Sequence, residues 1–86
     1  MTKVRVIFYT KENCLLCEEA YNLLESLQSV YNFEIEIRDI YSNDEWLEEY
    51  QIIIPVIQVN EEKLIGNDIQ IEKLMELFEK KIYKNN

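Results

Sequence analysis

Apolar positions along this chain change their period repeatedly, and each change marks an element. The β-branched and aromatic run Val4-Arg5-Val6-Ile7-Phe8-Tyr9 predicts a strand over 3–9. Leu16, Ala20, Leu23, Leu24 and Leu27 then recur with the helical period, predicting a helix over about 14–29. Val30-Tyr31-Asn32 is a connection. Phe33 to Arg38 alternates apolar and polar residues, the mark of a half-buried strand, and Asp39, Ile40 and Tyr41 lead out of it. Ser42 and Glu45 have capping-box spacing and open a short helix over 43–50, with Trp46, Leu47 and Tyr50 as its core face.

The next run, Ile52 to Val59, has strand composition except for Pro55, which has no amide hydrogen for a ladder. A loop ending at Pro55 and a strand starting at Val56 resolve the conflict. Asn60-Glu61-Glu62 reads as a hairpin turn, with Lys63-Leu64-Ile65 returning. Gly66 suits a positive-φ turn, and Asn67 and Asp68 offer helix caps. Ile71, Leu74, Met75, Phe78 and Ile82 predict a final helix to about Tyr83, after which Lys84-Asn85-Asn86 frays. The order β-α-β-α-β-β-α implies an α/β domain spanning 1–86. The first two strands are parallel through a right-handed crossover, and a hairpin completes a four-stranded mixed sheet.

Composition narrows the function. The chain has 86 residues, a net charge of −8 and no histidine. An acidic chain lacks the basic patch that nucleic acid or an anionic membrane surface requires. No apolar stretch approaches the roughly 20 residues of a membrane span, and no basic-then-apolar signal precedes the first strand. These features point to a cytoplasmic monomer. Without imidazole, proton transfer falls to water, a carboxylate or a lysine.

The two cysteines, Cys14 and Cys17, form a C-x-x-C pair where the first strand hands over to the first helix. Helix amides and the positive end of the helix dipole favour an anion there, and nearby lysine and C-x-x-C spacing also favour thiolate. Asn13 is the expected N-cap, with Lys11 as a cation beside the sulfur. Glu12, Glu18 and Glu19 oppose that effect if their carboxylates turn inward. Cys14 is the expected nucleophile and Cys17 the resolving thiol. A site holding metal ions would need more ligands than two cysteines provide.

This element order, with Cys14-Leu15-Leu16-Cys17 after the first strand and Ile54-Pro55 before the third, resembles the glutaredoxin-like branch of the thioredoxin superfamily. Tyr9-Thr10-Lys11 ahead of Cys14 is similar to glutaredoxins and to the small glutaredoxin-like hydrogen donors of ribonucleotide reductase. Cys17-Glu18-Glu19-Ala20 resembles a bacterial group of glutaredoxin-like proteins. The resemblance implies a three-layer thioredoxin-like fold and a cis peptide bond before Pro55. It also implies substrate hydrogen bonds from the backbone of Ile54. It casts Lys11 and the Gly66-Asn67-Asp68 turn as binding residues for glutathione, the reductant in such a cycle. The chain departs from the pattern in having Leu15-Leu16 where glutaredoxins carry Pro-Tyr, and one glycine where they carry two.

The expected function is therefore thiol–disulfide oxidoreduction on protein or low-molecular-weight disulfides, with no bound cofactor. Glutathione or a flavoprotein disulfide reductase would supply electrons. The alternative is a metal or iron–sulfur binding module built on the Cys14 and Cys17 thiolates.

Overall fold

The computed structural model describes residues 3–84. Strand β1 (Val4–Thr10) leads to helix α1 (Leu15–Leu27), strand β2 (Phe33–Asp39) and helix α2 (Asp44–Tyr50). Strands β3 (Val56–Val59) and β4 (Glu62–Ile65) and helix α3 (Ile71–Lys81) follow. Short 3-10 turns occupy Ile40–Ser42 and Gly66–Asp68. The sheet order is β2-β1-β3-β4, with β1 and β2 parallel and the other pairs antiparallel.

The alternation of β1 divides the core between two faces. Val6 and Phe8 join Phe33, Ile57 and Val59 beneath α1 and α3, against Leu24, Leu74 and Phe78. Ile7 and Tyr9 turn the other way, where Val56, Ile40, Trp46, Leu47 and Tyr50 meet them. Two helices on one face and one on the other make three layers, as the sequence implied.

Several local expectations shift by about a residue, each for a packing reason. The buried stripe of α1 is Cys17, Ala20, Leu24 and Leu27, while Leu16 is 51% exposed. Cys17 takes the inward place that Leu16 was expected to hold, while Ala20, Leu24 and Leu27 face the core as expected. On α3, Leu77 is buried beside Leu74 and Phe78, and Met75 is 39% exposed. Asn43, not Ser42, caps α2, its side-chain oxygen accepting from the amides of Glu45 and Trp46 at 2.9 and 3.2 Å. The Ser42 hydroxyl is instead turned back to the Asp39 carbonyl.

The β3–β4 turn is shorter than expected. Glu62 pairs with Val59, leaving Asn60-Glu61 as the loop, and Asn60 takes the left-handed φ of 56° that its short polar side chain tolerates. Helix α3 stops at Lys81, and the chain beyond it is tied down. Tyr83 accepts from the Asn32 amide at 2.8 Å, and Lys84 forms a β-bridge with Tyr31. Tyr31, expected only as a connector, is fully buried and donates its hydroxyl to Glu79 at 2.9 Å. Lys84 is thus anchored rather than frayed, and the rest of that tail, Asn85 and Asn86, lies outside the described residues.

Candidate functional site

Strand β1 ends at Thr10, and Lys11-Glu12-Asn13 carries the chain into α1. Asn13 takes a left-handed φ of 55°, so the capping role expected of it passes to Cys14, which is extended at φ −123°. Cys14 then holds both acceptor positions of a cap. Its Sγ accepts from the Cys17 amide at 3.2 Å, and its carbonyl accepts from the Glu18 amide at 3.1 Å. A sulfur stands where Ser or Asp oxygen ordinarily satisfies the open amides of a first turn.

The structure joins Cys14 and Cys17 in a disulfide, with Cα atoms 5.2 Å apart. Cys14 is half-buried, while Cys17 is only 2% exposed and belongs to the core beneath α1. The pair is therefore asymmetric. The more exposed residue, Cys14, has the sulfur that receives a helix amide; Cys17 is almost fully covered.

A cleft with a volume of about 660 Å³ holds Lys11, Cys14 and Cys17 together. Glu12 and Glu18 also line it, whereas Glu19 does not. Tyr21, Asn22, Glu25 and Ile37 are lining residues that the sequence reasoning missed. A signal for three of them was present. Glu18, Tyr21, Asn22 and Glu25 follow Cys14 at i+4, i+7, i+8 and i+11, the same helix face.

The remaining expected site residues lie elsewhere. The Ile54–Pro55 peptide is cis, and Pro55 is fully buried. Tyr9 pairs with Val56, so Pro55 lies one register step further, level with the end of β1 where the dithiol loop departs. The Ile54 amide already donates to the Tyr50 carbonyl at 3.1 Å.

Gly66 adopts the expected positive φ, 50°, and donates to the Pro55 carbonyl at 2.8 Å. Gly66, Asn67 and Asp68 line a separate depression with Ile52, Ile53 and Ile65. Asp68 does not cap α3. It ends a 3-10 turn and pairs with Lys73 at 3.2 Å, while Gln70 occupies the cap position without accepting from a helix amide, its side-chain nitrogen donating instead to the Asn67 carbonyl at 3.2 Å. Tyr9 packs on the α2 face, with its ring centroid 4.1 Å from that of Tyr50. Among the described residues, no three Cys, Asp or Glu side chains converge as a metal site.

A four-stranded mixed sheet with this helix order and a C-x-x-C pair at the start of α1 defines a thioredoxin-like fold. The family model described as Glutaredoxin-like domain (DUF836) matches residues 5–79, and the chain belongs to that family. A solved structure described as "Structure of a malarial protein" is similar to it with a TM-score of 0.68. Identity is 17%, over 93% of this chain and 98% of that one, a likeness of fold. No curated protein sequence matches the chain. None of the described helices is long and apolar enough to cross a membrane.

Proposed function

We propose that the protein is a dithiol–disulfide oxidoreductase in which Cys14 is the nucleophile and Cys17 resolves. The observation that carries this reading is the asymmetry of the pair at the head of α1: Cys14 is half-buried and its Sγ accepts the Cys17 amide, whereas Cys17, joined to it, is 2% exposed. A thiolate at Cys14 keeps that amide as a partner and gains from the helix dipole, an effect of about 0.3–1 kcal/mol at such a site.

The reaction starts from the reduced dithiol. The Cys14 thiolate attacks one sulfur of the substrate disulfide, a Cys14–substrate bond forms, and the departing thiolate takes a proton from water. Cys17, after losing its own proton to water, attacks the Cys14 sulfur. The Cys14–Cys17 disulfide forms, and the second substrate thiolate leaves. Two electrons pass from the dithiol to the substrate, and no prosthetic group takes part. Lys11 holds the anion in the cleft, and the Ile54 carbonyl beside Pro55 accepts a substrate amide. Glutathione or a flavoprotein disulfide reductase returns the electrons. The departures from the glutaredoxin pattern at Leu15-Leu16 and Gly66-Asn67-Asp68 support the second of these donors.

The test is a redox titration in glutathione buffers, read by mass spectrometry after thiol alkylation. A reversible loss of two protons between defined potentials is the expected result. A Cys17→Ser variant should accumulate a mixed disulfide at Cys14. Thiols that never pair under oxidising buffer, together with no trapped adduct in that variant, would overturn the reading.

A further inference from the structure

The cleft that holds the dithiol extends well past it along α1. Glu18 and Glu25 lie on the same helix face as Cys14, Glu12 stands on the loop before it, and all three line the cleft. Against them the lining offers one cation, Lys11. Among the described residues these carboxylates take part in no salt bridge, although six other ion pairs occur. Apolar side chains complete the walls: Phe8 on β1, Tyr21 on α1, and Ile37, 56% exposed, on the edge strand β2. An unpaired negative wall beside a reactive sulfur repels anionic disulfides and attracts cationic ones.

Length narrows the ligand further. From Cys14 to Glu25 is eleven residues of helix, roughly 16 Å at the standard rise. That exceeds the reach of a small disulfide seated on Cys14, and it matches roughly five residues of extended peptide. Glu18 lies roughly 6 Å along the axis, about two peptide residues from the sulfur.

We infer that the substrate of this cleft is a polypeptide disulfide carrying lysine or arginine about two and five residues from its cysteine. This rests on the thiol-exchange reading above. The basic side chains sit against Glu18 and Glu25, their stems cover Tyr21 and Ile37, and the substrate sulfur meets Cys14. Anionic disulfides, oxidised glutathione among them, react more slowly at the same sulfur.

The experiment uses blocked peptides with one cysteine in a mixed disulfide with 2-mercaptoethanol. Lysine, glutamine or glutamate occupies the second and fifth positions on either side of the cysteine. Each rate with the reduced protein is divided by the rate of the same peptide with dithiothreitol, which removes differences in intrinsic reactivity. At low ionic strength the lysine peptide should react about tenfold faster than the glutamate peptide, with glutamine between them. The gap should shrink severalfold in about 0.5 M salt, where the screening length falls to a few ångströms. The double variant Glu18→Gln/Glu25→Gln should reduce the ratio to about twofold. Glu48→Gln/Glu61→Gln makes the same change in net charge away from the cleft and should leave most of the ratio in place.

Equal normalised rates for all three peptides would overturn the charge selectivity and leave thiol exchange standing. No reaction even with the glutamine peptide would overturn both. A preference that survives Glu18→Gln/Glu25→Gln, or falls equally with Glu48→Gln/Glu61→Gln, would overturn the assignment to this cleft.

Discussion

The α2 face of the sheet and the dithiol end of α1 handle their charges in opposite ways. On the α2 face, Arg38 donates to Tyr9 at 2.9 Å, pairs with Glu36, and lies over the rings of Tyr9 and Trp46 at 5.5 and 5.0 Å. Lys63 donates to the Tyr50 hydroxyl at 2.8 Å, with Glu49 also within reach at 3.5 Å. Burial disfavours the Arg38 charge, but hydrogen bonds to Glu36 and Tyr9 outweigh it and raise the guanidinium pKa. On the α1 face the carboxylates around the dithiol take no part in salt bridges with described residues. Partnered charges hold an element down; unpartnered charges beside a reactive group remain available to a ligand. The difference separates a structural face from the proposed chemical one.

Exchanging one atom on the chemical face should break this contrast most completely. Cys14→Ser should abolish mixed-disulfide formation while leaving the melting transition close to that of the reduced parent. Trapping with a peptide disulfide and a thermal melt check the two halves. The opposite dissociation is expected from Phe78→Ala. Phe78 is fully buried between Tyr31 and Phe33, so its truncation should cost about 3–5 kcal/mol of stability. At temperatures where the variant remains folded, its exchange rate should match the parent's. A rate that fell with stability would mean that the two functions of the α1 face are not separable.

Smaller changes sharpen the division. Tyr50→Phe on the α2 face removes the hydroxyl that Lys63 donates to and should cost about 1 kcal/mol, read from urea unfolding. The exchange rate should not move.

The same pair gives an alkaline signature. Burial pushes the Tyr50 hydroxyl above its ordinary 10.0, against the opposing pull of Lys63. The hydrogen bond to Tyr50 raises Lys63 above 10.5. Both folded values lie above the unfolded ones. Their stabilisation is therefore complete below about pH 10 and is lost as the pH climbs through the folded values. Urea midpoints measured from pH 8 to 11 should fall less steeply in Tyr50→Phe than in the parent. An identical slope would remove Tyr50 from this account.

The smallest effect is expected of Glu18→Gln/Glu25→Gln on stability, within about 0.5 kcal/mol, because both residues are exposed and lack salt bridges. A larger stability change would give these carboxylates a structural role and weaken the contrast.

Much of the fold was legible from local pattern. The strand and helix order, the break at Pro55, the hairpin, and the C-x-x-C pair at a helix start all follow from side-chain period and backbone preference. These act within a few residues and need no partner. The positive φ of Gly66 is of the same kind, since a backbone preference belongs to the residue itself.

What the sequence left open depends on the edges of a helix's apolar stripe and on contacts between distant segments. An offset of one or two residues at the edge of the apolar stripe buries Cys17 and Leu77 and exposes Leu16 and Met75, while Ala20, Leu24, Leu27, Leu74 and Phe78 keep their expected inward places. An offset of one residue moves the cap from Asn13 to Cys14 and from Ser42 to Asn43, and local preference hardly distinguishes the second pair. Tyr31 is buried because Glu79 and Phe78, far along the chain, close over it. The cleft is likewise a product of assembly. Ile37 and Glu25 belong to different elements, and only the packing of α1 against the sheet's β2 edge puts them on one surface. The sequence alone determined where the cysteine pair sits; the tertiary structure decided which of the two is buried and what charge surrounds them.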